Sequence, residues 1–185
     1  MKTTVLKFFT LSAAIFAFST ISFGQGNTAT ASGVNAGANI ITPIGITNDE
    51  GTELQFGDLI ATSTEYTVTI DAASGQRAST GNAAFFTETG YSTADFTVTG
   101  EAGAAFKITL PTDGTVSLTA LTGTGAPMPL TAFASSIGLS SSLSGTAGSY
   151  SAGNKTFSVG ATLAVNKDQA AGEYTGTFDV TVAYE

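Results

Sequence analysis

The chain contains no cysteine, no histidine and no tryptophan. Without His or Cys, the Ser-His-Asp and Cys-His arrangements of nucleophilic catalysis cannot be built, nor can ordinary zinc sites. The missing cysteines also rule out the disulfides on which many small exported domains rely. Stability must therefore come from packing and sheet hydrogen bonds. Basic residues are scarce: beyond Lys2 and Lys7 there are only Arg77, Lys107, Lys155 and Lys167, against fourteen acidic residues. A phosphate backbone requires clustered Lys and Arg, and these four are scattered singly, so nucleic acid is excluded as a partner. The acidic excess keeps copies soluble and apart. Lack of tryptophan removes the side chain best suited to stacking on sugar rings.

The N-terminus is the one place with a long apolar run. Lys2 and Lys7 precede or interrupt a largely apolar stretch from Val5 to Phe18, and Ser22-Phe23-Gly24 places small residues before a cut. This is the pattern of a secretory signal peptide, residues 1–24, and the run falls short of the ~20 apolar residues that span a bilayer. The mature chain is then 25–185, expected to be one domain, secreted, and located from the periplasm to the cell surface. No cysteine follows the cut and no second apolar run of spanning length exists, so neither a lipid anchor nor membrane insertion of the mature chain is expected. At this length a domain buries roughly 68–70% of the surface its unfolded chain exposes.

Within the mature chain the dominant signal is a period of two. Apolar residues alternate at Tyr66, Val68, Ile70; at Ala94, Phe96, Val98; at Ala104, Phe106, Ile108, Leu110; at Val116, Leu118, Ala120; and at Phe157, Val159, Ala161, Leu163, Val165. Each set predicts a strand with one buried face. Turn chemistry separates them, as at Gly100 to Gly103, Pro111-Thr112-Asp113-Gly114 and Asn166-Lys167-Asp168. Many short strands without a helical period predict an all-β, immunoglobulin-like antiparallel β-sandwich. The Ser- and Gly-rich run from Ser135 to Gly153 reads as one long loop or an irregular edge.

The last fourteen residues, Gly172 to Glu185, are the most informative. Phe178, Val180, Val182 and Tyr184 alternate with Thr177, Asp179, Thr181 and Ala183, so the chain is expected to end on a half-buried strand. A glycine fourteenth from the end, alternating apolar residues and a penultimate tyrosine resemble the terminal motif of pilus subunits assembled by the chaperone-usher route. That resemblance implies a pilin-like subunit, with like subunits or a periplasmic chaperone as partners and Gly172, Phe178, Val180, Val182 and Tyr184 as the assembly motif.

A wider resemblance covers most of the chain. Thr42-Pro43-Ile44, Leu54-Gln55-Phe56-Gly57-Asp58, Thr67 to Asp71 with Gly75-Gln76-Arg77, Ala94 to Gly100, Phe106 to Pro111 and Ala171 to Phe178 occur in the order seen in the bacterial family known as domain of unknown function 4402. More distantly the chain is similar to the spore coat protein U domains. The resemblance implies an exported β-sandwich, a surface or fimbria-like subunit, and no chemistry.

Subunits of that kind lend an N-terminal strand to a neighbour. Here Gln25 to Gly33 hold nothing larger than threonine, while Val34, Ala36, Ala38 and Ile40 alternate. Residues 25–46 are thus either a donor arm or the domain's own first strand. The expected role is a non-enzymatic structural or adhesive subunit of the cell surface, possessing no catalytic, cofactor or metal residues. The alternative is a monomeric secreted module that binds a glycan or calcium. For a glycan, Phe85-Phe86 is the adjacent aromatic pair: on a strand its members point to opposite faces and one is exposed, whereas in a loop the pair folds over the core. For calcium, Asp49, Glu50 and Glu53 are the densest acids, although their spacing departs from the EF-hand loop.

Overall fold

The computed structural model describes residues 28–185; the predicted signal segment lies outside the described residues. The chain divides into two units, residues 1–38 and 39–185. In the first unit, the described residues 28–38 are exposed and carry no regular structure.

The second unit is built from strands alone. In chain order these are β1 (Gly45–Asn48), β2 (Gln55–Phe56), β3 (Leu59–Ile60), β4 (Tyr66–Ile70), β5 (Arg77–Thr80), β6 (Ala84–Phe85), β7 (Tyr91–Ser92), β8 (Ala94–Glu101), β9 (Ala105–Thr109), β10 (Val116–Ala120), β11 (Met128–Ser135), β12 (Ser140–Ser142), β13 (Ala152–Val165), β14 (Tyr174–Thr175) and β15 (Thr181–Tyr184). All pairings are antiparallel. The large sheet runs β1-β8-β13-β11-β10-β14, with β4 and then β5 attached to β13, and a three-stranded sheet runs β12-β9-β15. Two short ladders, β2 with β7 and β3 with β6, complete the sandwich. The all-β antiparallel fold is the one the two-residue period predicts.

Strand β13 is the spine. One edge pairs with β8 from Ala152 to Val159 and then with β4 from Thr162 to Val165; the other edge takes β11. Gly160 marks the crossover between the two partners, where a Cβ would collide with the Ile70 carbonyl. The alternation read from the sequence places Phe157, Val159, Ala161, Leu163 and Val165 inside, all buried. They divide between two apolar clusters: Phe157 and Val159 pack with Val98, Phe106 and Ile108, and the others with Tyr66, Val68, Ile70 and Leu130.

Of the two readings of the Ser135–Gly153 run the irregular edge holds, since Ser140–Ser142 forms the edge strand paired with Lys107 to Ala105 and Leu143 is buried. Of the stretch 25–46, only Gly45 and Ile46 lie in a strand among the described residues, β1 starting at Gly45, which pairs with Thr99. Val34 and Ile40 are 79% and 88% exposed. Two of the four alternating residues are alanines, interrupted by Gly37, and such a stretch gains too little by burial to order itself. Pro43 further removes a backbone donor just before the ladder begins.

Candidate functional site: an open edge and its groove

The terminal segment behaves as its alternation predicts on one face. Phe178, Val180, Val182 and Tyr184 are half-buried against the second apolar cluster, and their neighbours at 177, 179, 181 and 183 are exposed. Pairing is incomplete along its length. Tyr174–Thr175 pairs with β10 and Thr181–Tyr184 with β9, leaving Gly176–Val180 in no ladder. β14 and β15 are each the last strand of their sheet, so the whole segment presents an unpaired edge. Gly176 is required where it lies, because a Cβ there would come within 2.6 Å of the Ser117 carbonyl oxygen.

Beside this edge lies an open groove of about 850 Å³. It is lined by Asn48, residues 52–59 and residues 172–178, together with Phe96, Leu118, Met128 and Leu163. The 52–59 segment is braced by Arg77, whose side chain is only 2% exposed. Its guanidinium donates to the carbonyls of Phe56 (3.2 Å) and Thr87 (2.7 Å) and sits over the rings of Phe85 (3.8 Å) and Tyr91 (4.7 Å). Gly57, at φ +79°, has no room for a Cβ beside that guanidinium. Sequence reasoning missed Arg77 as a structural brace; a lone cation in an apolar chain, near two aromatic residues, was the available signal.

Both tyrosines of the terminal segment tie it down. The Tyr174 hydroxyl donates to the Ala170 carbonyl (2.7 Å) and accepts from Gln169 Nε2 (2.8 Å). The Tyr184 hydroxyl donates to the Thr42 carbonyl (2.6 Å) and accepts the Glu101 amide (2.6 Å). Each ring end rests on a glycine: a Cβ at Gly125 would strike the Tyr174 hydroxyl, and one at Gly100 the Tyr184 hydroxyl. Gly172 has an extended backbone and open surroundings, and marks the end of the groove.

The other candidates disperse. Asp49 Oδ1 accepts from the Thr97 hydroxyl (2.8 Å), Glu53 Oε2 accepts from the Gln55 amide (2.8 Å), and Glu50 is exposed. Among the described residues no group of three or more acidic side chains is placed to hold a metal. Phe85 turns inward under Arg77 while Phe86 is 78% exposed. Two groups have displaced titrations: the Ser74 hydroxyl and amide hold the Asp71 carboxyl below its usual range, and burial raises the Tyr66 hydroxyl. Tyr66 lines the groove beside the terminal segment, and Asp71 simply caps the turn between β4 and β5. No helix among the described residues is long and apolar enough to cross a membrane.

An antiparallel sandwich with an unpaired terminal edge and an open groove is thus the class of domain present. The chain belongs to the family described as Domain of unknown function (DUF4402), whose model matches residues 44–184, from the start of the folded ladder to the penultimate tyrosine. No curated protein and no solved structure matches it.

Proposed function

We propose that this protein is an exported, non-enzymatic structural or adhesive subunit of the cell surface, assembled by β-strand addition. The observation that carries the reading is the break in pairing at Gly176–Val180 beside an 850 Å³ groove. Unpaired backbone groups on an edge supply the hydrogen bonds, and alternate side chains entering the groove supply selectivity. The chain itself offers a fitting segment: residues 28–41 are extended in sequence pattern, exposed, and place Val34, Ala36, Ala38 and Ile40 on alternate positions. On this reading the partner is a second copy, or a chaperone that lends a strand before assembly. An acidic, histidine-free surface with no gathered acids supports a role without catalysis.

The test is size-exclusion chromatography with light scattering on residues 25–185 and on a version beginning at Ile41, which keeps β1 and Thr42. Oligomers that vanish on trimming and a trimmed monomer that binds a peptide of residues 28–41 are expected. A full chain that stays monomeric and a trimmed chain indifferent to the peptide would overturn the reading. Exposed Phe86, which follows β6 directly, and exposed Ile60 of β3 favour a second reading, a glycan-binding module. Glycan-array binding lost in Phe86→Ala would favour it.

A further inference from the structure

Two residues preceding β1 meet the fold: Ile44 packs against the second apolar cluster, and Thr42 is held by its backbone. Thr42 donates its amide to Glu101 Oε2 (3.0 Å) and accepts the Tyr184 hydroxyl at its carbonyl (2.6 Å), so both of its backbone groups are held. Glu101 in turn gives its own amide to that same hydroxyl (2.6 Å). Three distant parts of the sequence, residues 42, 101 and 184, close into one ring of hydrogen bonds. Immediately upstream, Ile40 and Ile41 are exposed.

Glu101 is an expensive residue for this place. It is 6% exposed, no ion pair reaches it among the described residues, and its Oε1 is buried without a partner. A buried oxygen left unpaired is destabilising, and an apolar side chain of similar size would avoid it. Its carboxylate has one hydrogen bond to show for that cost, the one to Thr42.

Strand direction gives the bond a purpose. β1 runs from the Thr42 end toward Asn48, and Asn48 already lines the groove. The terminal segment runs the opposite way, from the groove at Gly172–Phe178 to Tyr184. Thr42 therefore stands at the opposite end of β1 from Asn48 and the groove, with its backbone held on both sides.

We infer that Glu101 is a positioning residue for assembly: with Tyr184 it fixes the root of the N-terminal arm from which a strand is lent to a second copy. This rests on the strand-addition reading above. It also couples the two ends of one subunit, since the hydroxyl that holds the arm's root belongs to the strand whose edge receives the next arm.

The experiment compares the 25–185 chain as wild type, Glu101→Leu and Glu101→Gln, reading assembly rate by light scattering, thermal midpoint, and amide exchange at Thr42 by NMR. In Glu101→Leu the fold is expected to be as heat-stable as wild type or more so, because the unpaired oxygen is gone. Exchange at Thr42 should rise about tenfold, and assembly should slow several-fold. Added peptide 28–41 should still bind, because the groove is intact. Glu101→Gln keeps an acceptor and should restore protection and assembly. Unchanged Thr42 exchange, or unchanged assembly with Thr42 released, would overturn the inference. If the wild type neither assembles nor binds the peptide, strand addition fails instead, and Thr42 exchange still decides whether Glu101 holds the root. A Glu101→Leu chain that loses its fold would assign Glu101 to core stability and overturn the positioning role.

Discussion

Replacing Tyr184 by phenylalanine removes one oxygen and leaves the ring in place. Two bonds disappear, the donation to the Thr42 carbonyl and the acceptance of the Glu101 amide. Their costs differ. Glu101 is buried, so its amide is left without water or partner, at about 1–3 kcal/mol. Thr42 is half-exposed, so its carbonyl turns to solvent and the loss there is the net value of a hydrogen bond, about 1 kcal/mol. Together they sum to about 2–4 kcal/mol, which in a domain of this size lowers the melting temperature by roughly 4–16 °C. Differential scanning calorimetry on Tyr184→Phe and Tyr174→Phe provides the comparison. The Tyr174 hydroxyl bond to Ala170 is exposed, and Gln169 keeps its bond to the Ala126 carbonyl when Tyr174 loses its hydroxyl, so that variant should cost about 1 kcal/mol. Amide exchange should quicken at Glu101 only in Tyr184→Phe. Equal melting points for the two variants would refute the assignment of Tyr184 as a tie between the two ends of the domain.

Arg77→Met should cost about 2–4 kcal/mol in denaturant unfolding, through two orphaned carbonyl partners and the lost ring contacts. Glu88→Gln should change stability by under about 0.5 kcal/mol, since Glu88 is 85% exposed and its ion pair with Arg77 is screened. Gly100→Ala should destabilise by about 1–3 kcal/mol because its Cβ meets the Tyr184 hydroxyl, and part of the loss should return when combined with Tyr184→Phe. The Asp71 carboxyl, held low by Ser74, stabilises the fold above the ordinary aspartate range near pH 4. That contribution is lost as pH falls through the lower folded value, so Asp71→Asn should flatten the acid limb of a stability–pH curve below about pH 4 while leaving other acid-sensitive groups in force.

Much of the fold was legible because alternation is written directly into strand residues. Val68, Phe106, Ile108 and the five inward residues of β13 were recognisable from period alone, and all are buried. Strand β11 was not, since it opens at Met128-Pro129, inside a Gly- and Pro-rich stretch that reads as a turn. Pro129 sits in a paired position opposite Ser117, and the ladder to β13 shifts register between Thr131 and Ala134. The short ladders β2-β7 and β3-β6 are two residues each, below the length at which any period can be recognised. In the terminal segment, alternation marked the half-buried residues Phe178, Val180, Val182 and Tyr184. The groove and the Thr42–Glu101–Tyr184 ring depend on contacts between residues 59 to 142 positions apart, which local pattern cannot encode.

The position of β13 in the chain also sets a timetable. A polypeptide made from its N-terminus produces β1, β4, β8 and β11 long before the spine that joins them, which begins only at Ala152. Strand β9 must wait still longer for its partner at Thr181–Tyr184. Until β13 arrives, β4, β8 and β11 pair only with β5, β1 and β10 and each keeps an open edge, the condition that most invites wrong pairing. The large sheet is therefore joined late, by one strand, and the three-stranded sheet is completed only by the last residues.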